Sequence, residues 1–311
     1  MLLKTFVTLR ETKEQTTMKK FQIYTYMFRP VMEQDASLLF EDFEEVDVNE
    51  SLANKQDIFG DIADDDVHLN FANKKGAYGH RTYLNQGGII VMRIANNKRM
   101  RVEKDFSVAS IDNKPSALVI IDNRKDRQVI AIECCDAFAK TSTLASIIEM
   151  TFNRHLAKWR LAIDVRARYS TAEFWQVVRD SDLSQGIDYV VFPFPYPNMP
   201  AISNMLGHYM ADMARRTNSE PSLHLKAQDS AGVRLDENDL VVMNAIKACA
   251  ASGRPILIKP KGMALRKVGI KSGVTEEISE VAFEDLEGRS LFDSKLELIV
   301  AFLNKIKLVY E

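Results

Sequence analysis

The chain has 311 residues, of which 46% are hydrophobic and 27% charged, values that exclude a disordered, collagen-like or coiled-coil fibre and leave room for one large domain or two smaller ones. Its formal net charge of −2 hides a strong asymmetry. Residues 33–66 carry thirteen acidic side chains against the single Lys55, a local −12, which leaves +10 on the other 277 residues.

In chain order, the first 17 residues reach charge too soon for a signal-peptide core and precede Met18-Lys-Lys, so they are expected to be a loose extension from an upstream start. Lys20 to Arg29 alternates and is rich in aromatics, which predicts a first strand ended by Pro30. The acidic segment follows. Its interspersed Leu38, Leu39, Phe40, Phe43, Leu52, Ile58 and Phe59 argue for helical turns docked on a core.

From 87 to 134 the pattern turns to strands. Runs at 88–94, 106–111, 117–121 and 128–134, separated by short polar turns, predict an antiparallel meander. Next, Leu144, Ile148, Phe152, Leu156, Trp159 and Ile163 recur at helical spacing, and a shorter helix is expected near 172–178. Tyr189 to Phe194 reads as a strand running into the proline–aromatic stretch 192–200. Then come a helix over 201–216, a strand over 223–227, a helix capped by Asp236 and closed by Gly253, a strand over 255–259, and strand character within 268–281. Phe292, Leu296, Ile299, Leu303 and Ile306 make a 4-3-4-3 seam on the last helix, suited to core packing or to a homo-oligomer through 291–308.

The expected fold class is therefore α+β: an N-terminal antiparallel β-meander followed by a helix-rich mixed α/β C-terminal half. The division would run as 18–190, holding the acidic segment and the meander, and 200–311, with the joint at 193–200, unless the whole is one domain. Four prolines interrupt the longest uncharged stretch, 189–211, so it is not a membrane-spanning helix. Three cysteines without CxxC spacing make neither a disulfide framework nor a zinc site, which fits reduced thiols in a cytoplasm.

Motifs that state a reaction are missing. There is no GxxxxGK[ST], GxGxxG, GxSxG or HExxH, so no cofactor is expected. Asp64-Asp65-Asp66 with His68 is the densest set of hard donors, yet it reads better as a solvated loop, and no metal is expected there. Asp122 and Glu133 border adjacent predicted strands, as carboxylates do in metal-dependent nucleases, but Cys135 stands where the diagnostic lysine belongs. Cys134 or Cys135 with His155 would be a nucleophile pair only if the fold brought them together.

The strongest signal is basic clustering. Arg93, Lys98, Arg99 and Arg101 lie in one run, Arg154, Lys158 and Arg160 in a second, and Lys259, Lys261, Arg266 and Lys267 in a third. Such clusters neutralise phosphates and release counterions. The leading expectation is a cytoplasmic nucleic-acid-associated protein, with the acidic segment 33–66 as an intramolecular competitor. The alternatives are a protein–protein subunit of a larger complex and a metal-dependent phosphodiester hydrolase using Asp122 and Glu133.

Overall fold

A computed structural model describes residues 17–31, 46–65, 68–74, 76–104, 107–184, 186–270, 273–283 and 289–306. Fourteen strands and seven helices among them make an α+β protein whose strand pairs are all antiparallel. The expected residues 1–17 extension lies outside the described residues except for Thr17, as do acids 33–45 of the acidic segment.

The organising element is β1 (Met18–Pro30). Its even residues Tyr24, Tyr26 and Phe28 enter one core, while its odd residues Phe21 and Ile23 enter a second and Met27 a third. Strict alternation of apolar residues on both faces is what a strand buried on both sides requires. Around it run β2 (Phe71–Asn73), β3 (Gly76–Gln86), β4 (Ile89–Ala95), β7 (Ser116–Asp122), β8 (Val129–Glu133), β9 (Leu161–Ala167) and β14 (Thr275–Ser279). The order is β14-β1-β8-β7-β4-β3-β2, with β9 also paired to β1.

Helices cover both faces of this sheet. On one side sit α1 (Val48–Ala53), α2 (Lys55–Asp64) and α3 (Thr141–Leu156). Phe59 of α2 stacks on Phe152 of α3 at 4.2 Å and on Tyr26 at 4.9 Å, so the part of the acidic segment at 46–65 docks helical turns on the core, while Leu38, Leu39, Phe40 and Phe43 lie outside the described residues. On the other side α7 (Arg289–Lys305) buries Ile299, Phe302 and Leu303, with Ile306 just beyond it. That seam is taken up by the sheet, so Ile299, Leu303 and Ile306 are not open to a partner helix.

Two local readings change. The meander is interrupted: β4 pairs directly with β7, and β5 (Lys98–Lys104) with β6 (Ser107–Asn113) forms a separate hairpin between them. The long helix expected through Ile163 stops at Leu156, and a 3₁₀ turn with Arg160 at φ 53° reverses the chain into β9. The cause is tertiary. Asn153 accepts from Ile163 N at 2.6 Å and donates to Ile163 O at 2.9 Å, and Glu149 accepts from Val165 N at 2.7 Å. These side chains complete the edge of β9 that no strand pairs, and local helix periodicity cannot report that.

Residues 172–268 build a second unit from the antiparallel sheet β11-β10-β12-β13. Its strands are β10 (Ile187–Pro193), β11 (Ser222–Lys226), β12 (Ile256–Pro260) and β13 (Arg266–Val268). Against one face lie α4 (Ala172–Ser184), α5 (Pro200–Arg216) and α6 (Leu240–Ser252), burying Phe174, Val190, Phe192, Ile202, Ile246 and Ile258. Asp239, rather than Asp236, caps α6, and Gly253 closes it in the left-handed conformation at φ 67°. The proline–aromatic run is an internal part of this unit: Phe192, Phe194, Tyr196 and Met199 are buried. After β13 the chain returns to the first sheet as β14, which pairs with β1. No helix among the described residues is long and apolar enough to cross a membrane.

Candidate nucleic-acid interface

The second sheet has one covered face and one open face. Its register places Lys226 of β11, Tyr189 of β10 and Lys259 of β12 in a single cross-strand row. The next row runs His224, Val191, Leu257 and Lys267 across all four strands. Paired residues share a face, and alternate residues on each strand point the opposite way. The burial pattern agrees: along β11, Ser222, His224 and Lys226 are exposed while Leu223 and Leu225 turn inward.

Neighbouring strands are about 4.8 Å apart, so the two lysines flanking Tyr189 are carried on backbones about 10 Å apart. The rings of Tyr189 and His224 meet edge to face with centroids 5.1 Å apart. Among the described residues no carboxylate forms an ion pair with Lys226, Lys259 or Lys267. The Lys259 ammonium bonds the Met263 carbonyl, which holds it at the edge of the platform without neutralising it. The result is a flat surface with an aromatic ring, an imidazole, two aliphatic side chains and three cations.

The other predicted cations are placed differently. Lys261, in the turn after β12, bonds the Ser230 carbonyl, and Arg266, exposed on the side of β13 opposite Lys267, reaches Met263 Sδ at 3.6 Å. Arg93 donates to Ser116 at 3.4 Å on the face of the first sheet that α7 covers. On the separate hairpin, Lys98 bonds the Asp136 carbonyl and Arg99 pairs with Asp112 at 3.8 Å. Arg101 also lies in β5, and its side chain is outside the described ones. Arg154 donates to the Ala72 carbonyl at 3.1 Å, Arg160 to the Val46 carbonyl at 3.4 Å, and Lys158 lies over the Trp159 ring at 5.6 Å. Among the described side chains of the eleven predicted cations, only Lys259 and Lys267 lie on this shared open face.

Asp122 and Glu133 are not brought together. Asp122 pairs with Val129, four residues before Glu133 on β8, so the two stand about 13 Å apart along the β7–β8 hairpin. Each is already engaged. Asp122 is buried and bound by Arg124 and Arg127, while Glu133 takes Lys19 at 2.7 Å and the Leu118 N–H at 2.8 Å. No group of three or more His, Cys, Asp or Glu among the described residues is arranged to hold a metal ion. Asp65 instead binds His68 Nδ1 at 2.8 Å, and Asp66 lies outside the described residues. Burial pushes the Cys134 and Cys135 thiols up, which opposes the thiolate that nucleophilic catalysis needs.

Tyr189, His224 and Lys226 were not singled out in the sequence, although the signal is present. In Ser222-Leu-His-Leu-Lys226 polar and apolar residues alternate with period two, the mark of a strand with one wet face. No protein-family model matches the chain, and no curated protein matches its sequence.

Proposed function

We propose that this protein binds single-stranded nucleic acid across the open face of the β11-β10-β12-β13 sheet. The observation that carries the reading is the row Lys226–Tyr189–Lys259 with His224 and Lys267 in the row beside it. A ring on a flat sheet offers a stacking surface to any base, and flanking cations track the phosphates on either side. A duplex hides its bases from such a surface, so single strands are the preferred ligand.

The part of the acidic segment that folds as α1 and α2 packs on the first sheet, so it does not lie over this platform. Any competition with nucleic acid then falls to the acids at 33–45. The test is fluorescence anisotropy with labelled single-stranded DNA, single-stranded RNA and duplex DNA across a salt series. Single strands should bind most tightly, with Tyr189→Ala and Lys226→Glu each weakening them. Binding that neither substitution alters would remove this interface.

A further inference from the structure

A second feature lies away from the sheet platform. Where α1 and α2 meet the segment Tyr196–Pro200 and α5, a cleft of about 550 Å³ opens, and among the described residues no aspartate or glutamate lines it. Lys55, His208 and Arg215 do. Among the described residues Lys55 donates to the Leu52 carbonyl at 3.3 Å, and Arg215 donates to the Pro197 carbonyl at 3.2 Å and to Ser203 Oγ. Neither forms an ion pair with a described carboxylate. Two cations in one concavity whose described hydrogen-bond acceptors are neutral are an arrangement that an incoming anion completes.

The cleft continues into a neighbouring one of about 740 Å³ through Lys55 and Asn198, which line both. The second part is mixed in charge: Asp57, Asp61 and Asp126 border it together with Arg124 and Lys125. Asn198 donates its amide to the Phe28 carbonyl, and its Oδ1 is buried with no hydrogen-bond partner among the described residues. A buried acceptor left without a donor costs free energy until something supplies one. Burial also pushes the Lys55 ammonium below the usual lysine range.

We propose that this groove binds a phosphomonoester with a hydroxyl-rich body, a sugar phosphate or a nucleotide. The phosphate is held by Lys55 and Arg215, with His208 beside them. Hydroxyls of the ligand donate to the Asp57 and Asp61 carboxylates, the chemistry by which acidic residues recognise ribose diols. The combined space suits a ligand of that size.

The test is calorimetric titration of the full chain with inorganic phosphate, ribose 5-phosphate, AMP and adenosine. AMP and ribose 5-phosphate should bind more tightly than inorganic phosphate, and adenosine weakest. Lys55→Gln should weaken all three phosphate probes by about tenfold, as loss of one charged contact implies. Asp57→Asn combined with Asp61→Asn should weaken the two sugar phosphates and leave inorganic phosphate unchanged. Should Lys55→Gln fail to fold by circular dichroism, His208→Gln supplies the second reading of the cationic end. Tyr189→Ala, on the other sheet face, should leave every affinity as it is, which separates this site from the nucleic-acid platform. No binding of any phosphate probe at millimolar concentration, or unaltered binding in both Lys55→Gln and His208→Gln, overturns the proposal.

Discussion

Arg127 donates its Nε–H to Asp122 Oδ2 at 2.9 Å, and its Nη2 donates to the Leu303 carbonyl near the end of α7. Arg124 repeats the arrangement with two bonds to Asp122, at 2.8 and 2.7 Å, and one to Asn304 at 3.1 Å. The carboxylate that resembles a catalytic acid in sequence is thus the anchor for two arginines that tie the C-terminal helix to the sheet.

Replacing that anchor should be costly. Asp122→Asn leaves two guanidinium groups facing a neutral amide in a site where Asp122 itself is fully buried. Removing one partner of a buried ion pair costs about 3–5 kcal/mol, and the arginines' partial exposure puts this change toward the lower end. Urea unfolding should show a lowered midpoint, with the far end of α7 losing amide protection first.

The join between α3 and β9 gives a second expectation. Asn153→Ala strips the Ile163 N–H and carbonyl of their side-chain partner at once. Each unsatisfied backbone group costs about 1–3 kcal/mol when water cannot reach it, so a loss of about 2–3 kcal/mol is expected. Asn153→Asp keeps the acceptor and should recover part of it. Equal losses in both variants would assign the effect to the amide donor to the Ile163 carbonyl, which both lack.

Gly253 is required by both conformation and space. Its φ is 67°, and a Cβ there would come within 2.6 Å of the Ala167 carbonyl oxygen, on the end of β9. The left-handed conformation alone costs an L-residue about 1–2 kcal/mol. Gly253→Ala should exceed that, because the backbone of β9 has to move as well. Thermal unfolding of the variant against Gly262→Ala, at an exposed turn glycine with φ 68°, separates the clash from the conformational cost.

Glu149 gives the chain a pH dependence of known sign. It is half-buried, and burial raises its carboxyl above the usual range although the Val165 N–H works against that. A carboxyl whose folded pKa exceeds its unfolded one binds more protons when folded. Stability therefore falls as pH rises from the ordinary glutamate value, about 4.3, toward the folded one. Glu149→Gln keeps an acceptor for Val165 and removes the penalty. Its stability relative to wild type should be higher at about pH 8 than at about pH 4. A constant difference across that interval would contradict the raised pKa.

How far the sequence carries can be seen at particular residues. β1, the inward face of α2 and the C-cap at Gly253 were readable because alternation, apolar spacing and a glycine each act locally. β9 was not, since its strand state depends on Asn153 and Glu149 satisfying its free edge from another element. The candidate interface was half readable. Lys259 and Lys267 stood out as charge, but their junction with Tyr189 and Lys226 is a matter of register between strands more than thirty residues apart in sequence. Most of the other cations bond carbonyls or carboxylates of this same chain, a use that composition cannot distinguish from phosphate binding.

The platform and the acidic segment together make the final expectation. Each phosphate neutralised on a single strand contributes about −0.7 to the slope of log affinity against log salt. Replacing Lys226, Lys259 and Lys267 with glutamine should therefore flatten the slope by about 2. Tyr189→Ala should weaken binding by about 1–3 kcal/mol through lost stacking and leave the slope unchanged. Deleting residues 33–66 would not test competition, because Phe59 is part of the stack joining Tyr26 and Phe152. Neutralising Glu33, Asp35, Glu41, Asp42, Glu44 and Glu45 in the intact chain tests it without removing core. If these acids compete with phosphate for the lysines, single-strand affinity should rise and its salt dependence steepen. Affinity that stays fixed after all six are neutralised assigns the acidic segment a role apart from nucleic acid.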